Sequence, residues 1–289
     1  MLDDPTTCEG LRASLAAWYR VSRRHLPWRE TPTPYRVWVS EIMLQQTQVQ
    51  TVIPYFERFL VDFPDVTTLA NATEEAVLTR WAGLGYYRRG RQLHAAAKQL
   101  VAQHEATLPR DVATLLTLPG VGRYTAGAIA SIAYGTPAPV LDGNVARVLS
   151  RLMALELEVD RGPGQRALWS AAERLVCHDD PGSHNQAMME LGALVCTPAQ
   201  PGCSGCPLRA SCRAHAAAAE TTYPRKRPRK RPQPLFAVAG LVVDAAGRIL
   251  MARRPTDVLL GATIRPSDRS TKVACLPFVS SPALPRDPP

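Results

Sequence analysis

The chain lacks any apolar run as long as the roughly 20 residues of a membrane-spanning helix, so no membrane partner is expected. Its first ten residues, MLDDPTTCEG, are acidic where a signal peptide is basic, which points to the cytoplasm. Strand-like alternation is missing before residue 235, leaving an all-α reading for everything upstream. Acids are in short supply: 34 Lys and Arg face 25 Asp and Glu, for a net charge of +9. A basic surplus suits a polyanionic partner. Much of it is local, since Arg225, Lys226, Arg227, Arg229, Lys230 and Arg231 carry six of those charges and leave +3 for the rest. Of the seven cysteines, Cys196, Cys203, Cys206 and Cys212 crowd one stretch, which speaks against a disulfide framework and for a metal centre in a reducing compartment. At 289 residues the chain has room for one large or two medium domains with proper cores.

What is present is organised around Thr114 to Arg151, TLLTLPGVGRYTAGAIASIAYGTPAPVLDGNVARVLSR. A short helix ending near Leu118 is expected to meet Pro119-Gly120-Val121-Gly122, with a second helix from Arg123. Gly120 and Gly122 are expected to turn the backbone with positive φ and to let another surface approach closely. The second helix starts with unpaired N–H groups, a ready anion site. A hairpin of this kind can hold a nucleic-acid phosphate without reading bases, although an ordinary αα-hairpin turn has similar wording. Val140-Leu141-Asp142-Gly143-Asn144-Val145 follows, with Asp142 opening the next helix, a position where aspartate is by default an N-cap.

Upstream, residues 9–22 read as an amphipathic helix with Leu11, Leu15, Trp18 and Tyr19 on one stripe. Thr33-Pro34 marks the start of a helix over about 34–48. On it, Glu41 shares a face with Val37, Trp38 and Leu44. A carboxyl desolvated in this way has a raised pKa and can hold a proton near neutral pH, as a general acid must. A glutamate at the edge of the stripe, reaching water or an arginine, fits the same pattern. Helices are also expected over about 49–63 and 73–81. After Gly83-Leu84-Gly85-Tyr86-Tyr87-Arg88-Arg89 another runs to about His104. The paired tyrosines beside arginines suit base stacking and phosphate contact, or an interior aromatic with a solvated basic face. Beyond the hairpin come helices over about 143–153, 164–177 and 184–195, the last carrying Gln186, with Met188 and Met189 read as core filler.

The spacing Cys196-x6-Cys203-x2-Cys206-x5-Cys212 places four thiolates in one loop able to hold a [4Fe–4S] cluster. Structural zinc competes, but zinc ribbons present two separate C-x2-C knuckles and this run has one. Cys8, Cys177 and Cys275 stand outside the pattern as ordinary thiols. Residues 216–234 read as a basic, Pro-rich linker, extended by proline and like charge. From Phe236 to Val243, then Arg248 to Arg254 after Asp-Ala-Ala-Gly, the pattern becomes that of a β-hairpin. The last segment, 262–289, is proline-rich and aperiodic and is expected to be disordered, the product of a frameshift or truncation.

From about Leu26 to Cys212 these motifs resemble the helix–hairpin–helix DNA glycosylase superfamily, and the run SEIMLQQTQ most resembles the A/G-mismatch adenine DNA glycosylases. The resemblance implies an all-α, two-lobed helix–hairpin–helix glycosylase fold with a [4Fe–4S] loop, followed by the linker and a remnant β-hairpin of a Nudix-like domain. Residues 1–215 would form the glycosylase region. Its six-helix lobe would span about 30–135, and the N-terminal helix would join 136–215 in an iron–sulfur lobe. Residues 235–261 match the opening of the domain with which such enzymes recognise 8-oxoguanine, and the likeness stops there.

The implied activity is hydrolytic removal of adenine mispaired with 8-oxoguanine or guanine in double-stranded DNA, by a monomer acting at the nucleoid. By the same resemblance Glu41 protonates the leaving adenine and Asp142 stabilises the oxocarbenium-like sugar, with Asn144 expected to orient Asp142 or the water. Gln46 wedges into the base stack, Tyr86 intercalates beside the lesion, Gln186 contacts adenine, and Gly120 and Gly122 form the phosphate hairpin. Bifunctional relatives carry a lysine where this chain has Tyr124, so a monofunctional enzyme is expected. An endonuclease III-like glycosylase for oxidised pyrimidines, a thymine-mismatch glycosylase, an iron–sulfur DNA-binding protein without catalysis, and a ferredoxin-like carrier are the competing readings.

Overall fold

The computed structural model describes residues 2–228, together with the short strands 251–253 and 264–266. The first unit is helical: α1 Pro5–Ser22, α2 Pro27–Glu30, α3 Pro34–Leu44, α4 Val49–Asp62, α5 Val66–Asn71, α6 Glu74–Trp81, α7 Tyr87–Gln103, α8 Val112–Leu115, α9 Arg123–Tyr134, α10 Gly143–Met153, α11 Gly162–Leu175, α12 Pro181–Leu194 and α13 Arg213–Ala216. No described helix is long and apolar enough to cross a membrane.

Short polar residues set where these helices begin. Thr33 caps α3 by accepting from Arg36 N at 3.3 Å, with Pro34 at the first helical position. Asp65, Thr73, Asp111, Asp142 and Asp180 cap α5, α6, α8, α10 and α12 in the same way. Each cap satisfies a donor the helix cannot and contributes about 1 kcal/mol.

Two hydrophobic cores lie within this unit. One gathers Trp38 from α3, Phe56 and Phe59 from α4, Trp81 from α6, Leu100 from α7 and Ile129 from α9. The other joins Leu11 and Leu15 of α1 to Leu149 and Leu152 of α10, Leu168 of α11, and Met188 and Leu191 of α12. Burying each such side chain stabilises the fold by about 1.5–3 kcal/mol. Helix α9 serves both cores, with Ile129 and Ala130 facing the first and Ala128 the second. It packs against α3 on one side and α12 on the other.

Three expectations change in this unit. Helix α3 stops at Leu44 rather than about residue 48, because the open carbonyls at its end accept from the Arg89 guanidinium. Gly120 does adopt positive φ (78°), and a Cβ there would sit 2.8 Å from Gln92 Cβ. Gly122 is extended (φ −94°, ψ 178°) and serves as the N-cap of α9, so only one of the two glycines is needed for its backbone. The expected linker is not free from residue 216: the compact unit runs to Pro228. Arg151 donates to Glu220 O at 2.8 Å, and Val159 N to Arg225 O at 2.9 Å, holding this segment down.

In the second unit, 229–289, strands β1 Met251–Arg253 and β2 Ile264–Pro266 pair antiparallel, Ala252 opposite Arg265. β2 falls in the segment expected to be disordered; three residues are too few to show alternation in sequence. The expected strand Phe236–Val243 and the rest of the tail lie outside the described residues.

Candidate active site

A cleft of about 570 Å³ opens where α3, the first turn of α9, the start of α10 and one face of α12 converge. Helical spacing brings Glu41 to its wall with Val37 and Leu44 as neighbours, and the residue is only 6% exposed. Burial raises its carboxyl to about 7; the nearby Asp142 adds to the rise, while a hydrogen bond from Tyr124 and the charge of Arg29 oppose it. That bond runs from the Tyr124 hydroxyl to Glu41 Oε2 at 2.6 Å, and the same hydroxyl lies 3.1 Å from Met189 Sδ. Burial and the two carboxyls hold the Tyr124 phenol well above its ordinary value, so it stays a donor.

Asp142 caps a helix and lines the cleft at once. As N-cap of α10 it accepts from Val145 N at 2.7 Å through Oδ1, and it faces the cleft. Its Oδ2 accepts from Asn144 Nδ2 at 3.0 Å. Burial raises its pKa against the lowering effect of those bonds. Asn144 is itself fixed, because its Oδ1 accepts from Arg147 Nη2 at 2.8 Å. Arg147 reaches on to Gly192 O and, through Nε, to Cys196 O, both at 2.7 Å. An unbroken set of hydrogen bonds thus joins Asp142 to the backbone of the first clustered cysteine. Gly192 permits this approach: a Cβ there would stand 2.5 Å from Asn144 Cβ.

Of the remaining expected residues, Gln186 is half-buried on α12 and lines the cleft, its Nε2 donating to Gly182 O at 3.3 Å. Gln46 is exposed at the cleft rim. Tyr86 (62% exposed), Gly120 and Gly122 do not line the cleft; Tyr86 stands on the turn before α7 and the glycines on the α8–α9 connection. Met188 is core as expected, while Met189 packs against the same core and also lines the cleft. Sequence reasoning missed Glu190, whose carboxylate accepts from Arg24 Nε at 2.8 Å and Arg29 Nη2 at 3.0 Å on the same wall. Its place one helical turn after Gln186 was the available signal. Among the described residues no lysine lines the cleft.

The four clustered cysteines line a second, smaller cavity together with Arg151, His215 and Glu220. Burial raises the thiols of Cys203, Cys206 and Cys212, Cys206 to about 11, and the sulfurs' mutual repulsion adds to it. The protein alone therefore disfavours thiolates at Cys203, Cys206 and Cys212; a bound cationic centre would favour them. Arg151 Nη1 donates to Cys196 Sγ at 3.3 Å, a contact suited to a thiolate ligand. Ligand atoms of Cys203, His215 and Glu220 also lie within 4.8 Å of one another, a possible metal site sharing one cysteine.

Comparison with known proteins gives these residues a context. The sequence is 48% identical over 220 residues to the adenine DNA glycosylase of Homo sapiens, covering 73% of this chain and 40% of that protein. It is 39% identical to the adenine DNA glycosylase of Buchnera aphidicola subsp. Schizaphis graminum, covering 74% of this chain and 62% of that one. The chain thus spans less than two thirds of the length of these relatives. A solved thermostable thymine-DNA glycosylase superimposes with a TM-score of 0.68 at 26% identity, over 73% of this chain and 98% of that one. Endonuclease III in a non-covalent DNA complex shares the fold, with a TM-score of 0.63 at 21% identity over 74% and 98% of the two chains. Residues 39–174 match the family of HhH-GPD superfamily base excision DNA repair proteins. Residues 39–174 thus resemble that superfamily, and about three quarters of the chain is similar in sequence to adenine DNA glycosylases.

Proposed function

We propose that the chain is an adenine DNA glycosylase, which flips adenine out of double-stranded DNA and removes it hydrolytically where it is mispaired with 8-oxoguanine or guanine. The observation that carries this reading is Glu41, a buried carboxyl with a pKa of about 7 on the same cleft as Asp142. A base inside a duplex is out of reach, so it must first leave the stack. Glu41 then gives its proton to N7 of adenine, and the electron pair of the C1′–N9 bond departs with the base. Asp142, held by Val145 N and Asn144, sets its carboxylate against the cationic sugar. Water adds to C1′ and returns a proton to a carboxylate.

Gln186 contacts the flipped base, Gln46 and Tyr86 enter the stack, and the Gly120–Gly122 hairpin holds a phosphate. Tyr124 offers no amine for a Schiff base, so the enzyme is monofunctional. Cys196, Cys203, Cys206 and Cys212 would hold a [4Fe–4S] cluster, which when bound offsets the thiolate charge and cross-links the loop. The protein works as a monomer on the nucleoid DNA of a bacterial cytoplasm.

The test uses end-labelled duplexes with adenine opposite 8-oxoguanine, adenine opposite guanine, and thymine glycol opposite adenine, each with and without alkali. Scission at adenine that needs alkali is the expected result. Alkali-independent scission at thymine glycol would replace the reading by a pyrimidine glycosylase with lyase activity. Firm duplex binding with no cleavage would reduce the protein to a DNA-binding role.

A further inference from the structure

Exposed side chains on left-handed backbone, which non-glycine residues adopt at a cost, include Gln46 at φ 59°, Tyr86 at φ 47° and Glu105 at φ 51°; the first two flank the cleft side of α3 and the start of α7. One buried guanidinium holds both turns. Arg89 Nη1 donates to Ile42 O at 3.1 Å, to Met43 O at 2.9 Å and to Gln45 O, closing the end of α3 just before Gln46. Its Nη2 donates to Thr47 Oγ1 at 3.0 Å, just after Gln46. The same Nη2 reaches Leu84 O at 3.3 Å and Gly85 O at 3.4 Å, immediately before Tyr86. The guanidinium also lies 5.3 Å from the centroid of the Tyr86 ring. Arg89 is 7% exposed and makes no carboxylate pair among the described residues, so carbonyl dipoles and ring faces balance its charge. A planar fork with donors on both sides can bridge two turns at once; a lysine ammonium cannot reproduce that span.

We propose that Arg89 is a positioning residue that locks the Gln46 turn and the Tyr86 turn into one unit, so that the two side chains enter the duplex as a pair. This rests on the DNA-facing roles assigned above to Gln46 and Tyr86. Strain that one shared clamp maintains is released at both turns together, so the two contacts must be energetically coupled.

The experiment is a double-mutant cycle on the full chain. Gln46→Ala, Tyr86→Ala and the double variant are compared in the Arg89 and Arg89→Lys backgrounds. Affinity is read by anisotropy on an adenine:8-oxoguanine duplex whose adenine carries a cleavage-resistant 2′-fluoro sugar. Each single variant is expected to bind about tenfold more weakly, the scale of one lost stacking contact. In the Arg89 background the double variant should fall short of the product of the singles by about fivefold or more. In the Arg89→Lys background the losses should multiply, with helix content by circular dichroism unchanged. Should Arg89→Lys lose helix content, Thr47→Val removes one bond of the clamp, and a halved or smaller coupling there supports the proposal. Multiplicative losses in the Arg89 background overturn the proposal while leaving the DNA face intact. Single variants that bind as tightly as the unmodified chain overturn the reading of that face, and the proposal with it.

Discussion

The two walls of the cleft each bury a glutamate, and their fates are opposite. On α3, Glu41 meets a phenol and a second carboxyl, and burial carries it up to about 7. On α12, Glu190 is as deeply buried, and burial alone would raise it too. Hydrogen bonds from Arg24 and Arg29 outweigh that and pull it down to about 2. Burial therefore does not decide which carboxyl can act as an acid; the partners do. The arginines turn Glu190 into a strut between α12 and the segment around α2, while Glu41 is left free to hold a proton.

Breaking the catalytic side of this contrast should have the largest effect. Glu41→Gln, or separately Asp142→Asn, is expected to slow single-turnover adenine excision by about 10²–10⁴. Breaking the structural side should instead show in stability. Glu190→Gln leaves the half-buried Arg24 and Arg29 beside a neutral group and should cost about 1.5–3 kcal/mol in urea unfolding at pH 7, the scale of lost charge-assisted hydrogen bonds. The pH dependences differ in sign. Glu190 has a lowered native pKa, so its stabilisation is present above the ordinary carboxylate range and is lost as pH falls from about 4.5 toward about 2. Glu41 has a raised native pKa, so the fold is stabilised below about 4.5 and loses that stabilisation as pH rises toward about 7. Unfolding at pH 8 should accordingly find Glu41→Gln more stable than the unmodified chain, by on the order of 2–3 kcal/mol.

Two smaller effects sharpen the comparison. Arg147→Gln frees Asn144 and should cut excision by about 10- to 100-fold, the worth of one charge-assisted hydrogen bond, without changing duplex affinity in a filter-binding assay. Tyr124→Phe removes a bond that lowers the Glu41 pKa, so the alkaline limb of the pH–rate profile should move to higher pH.

Local chemistry made much of this legible in advance. Helix starts at Thr33, Thr73 and Asp142 follow from a capping oxygen two or three residues before the N–H it accepts from, a relation contained within one turn. Glu41 stood out because period 3.6 puts it on an apolar face. What sequence could not give depends on partners far along the chain. The end of α3 is set by Arg89 from another helix, and the role of Glu190 by Arg24 and Arg29 across more than 150 residues. Met189 and Met188 are adjacent in sequence and both touch the second core, yet only Met189 also reaches the cleft, a difference fixed by how α12 is rotated against α9. The tie from Arg147 to Cys196 likewise exists only once α10 and α12 are packed.

The most direct test of the central claim, that Glu41 is the proton donor, is the single-turnover rate of adenine excision from pH 5.5 to 9. A rate that is level at low pH and falls with unit slope above about 7, and that loses this limb in Glu41→Gln, is the predicted result. A rate unchanged across that range, or a Glu41→Gln enzyme that excises at nearly the unmodified rate, would contradict it.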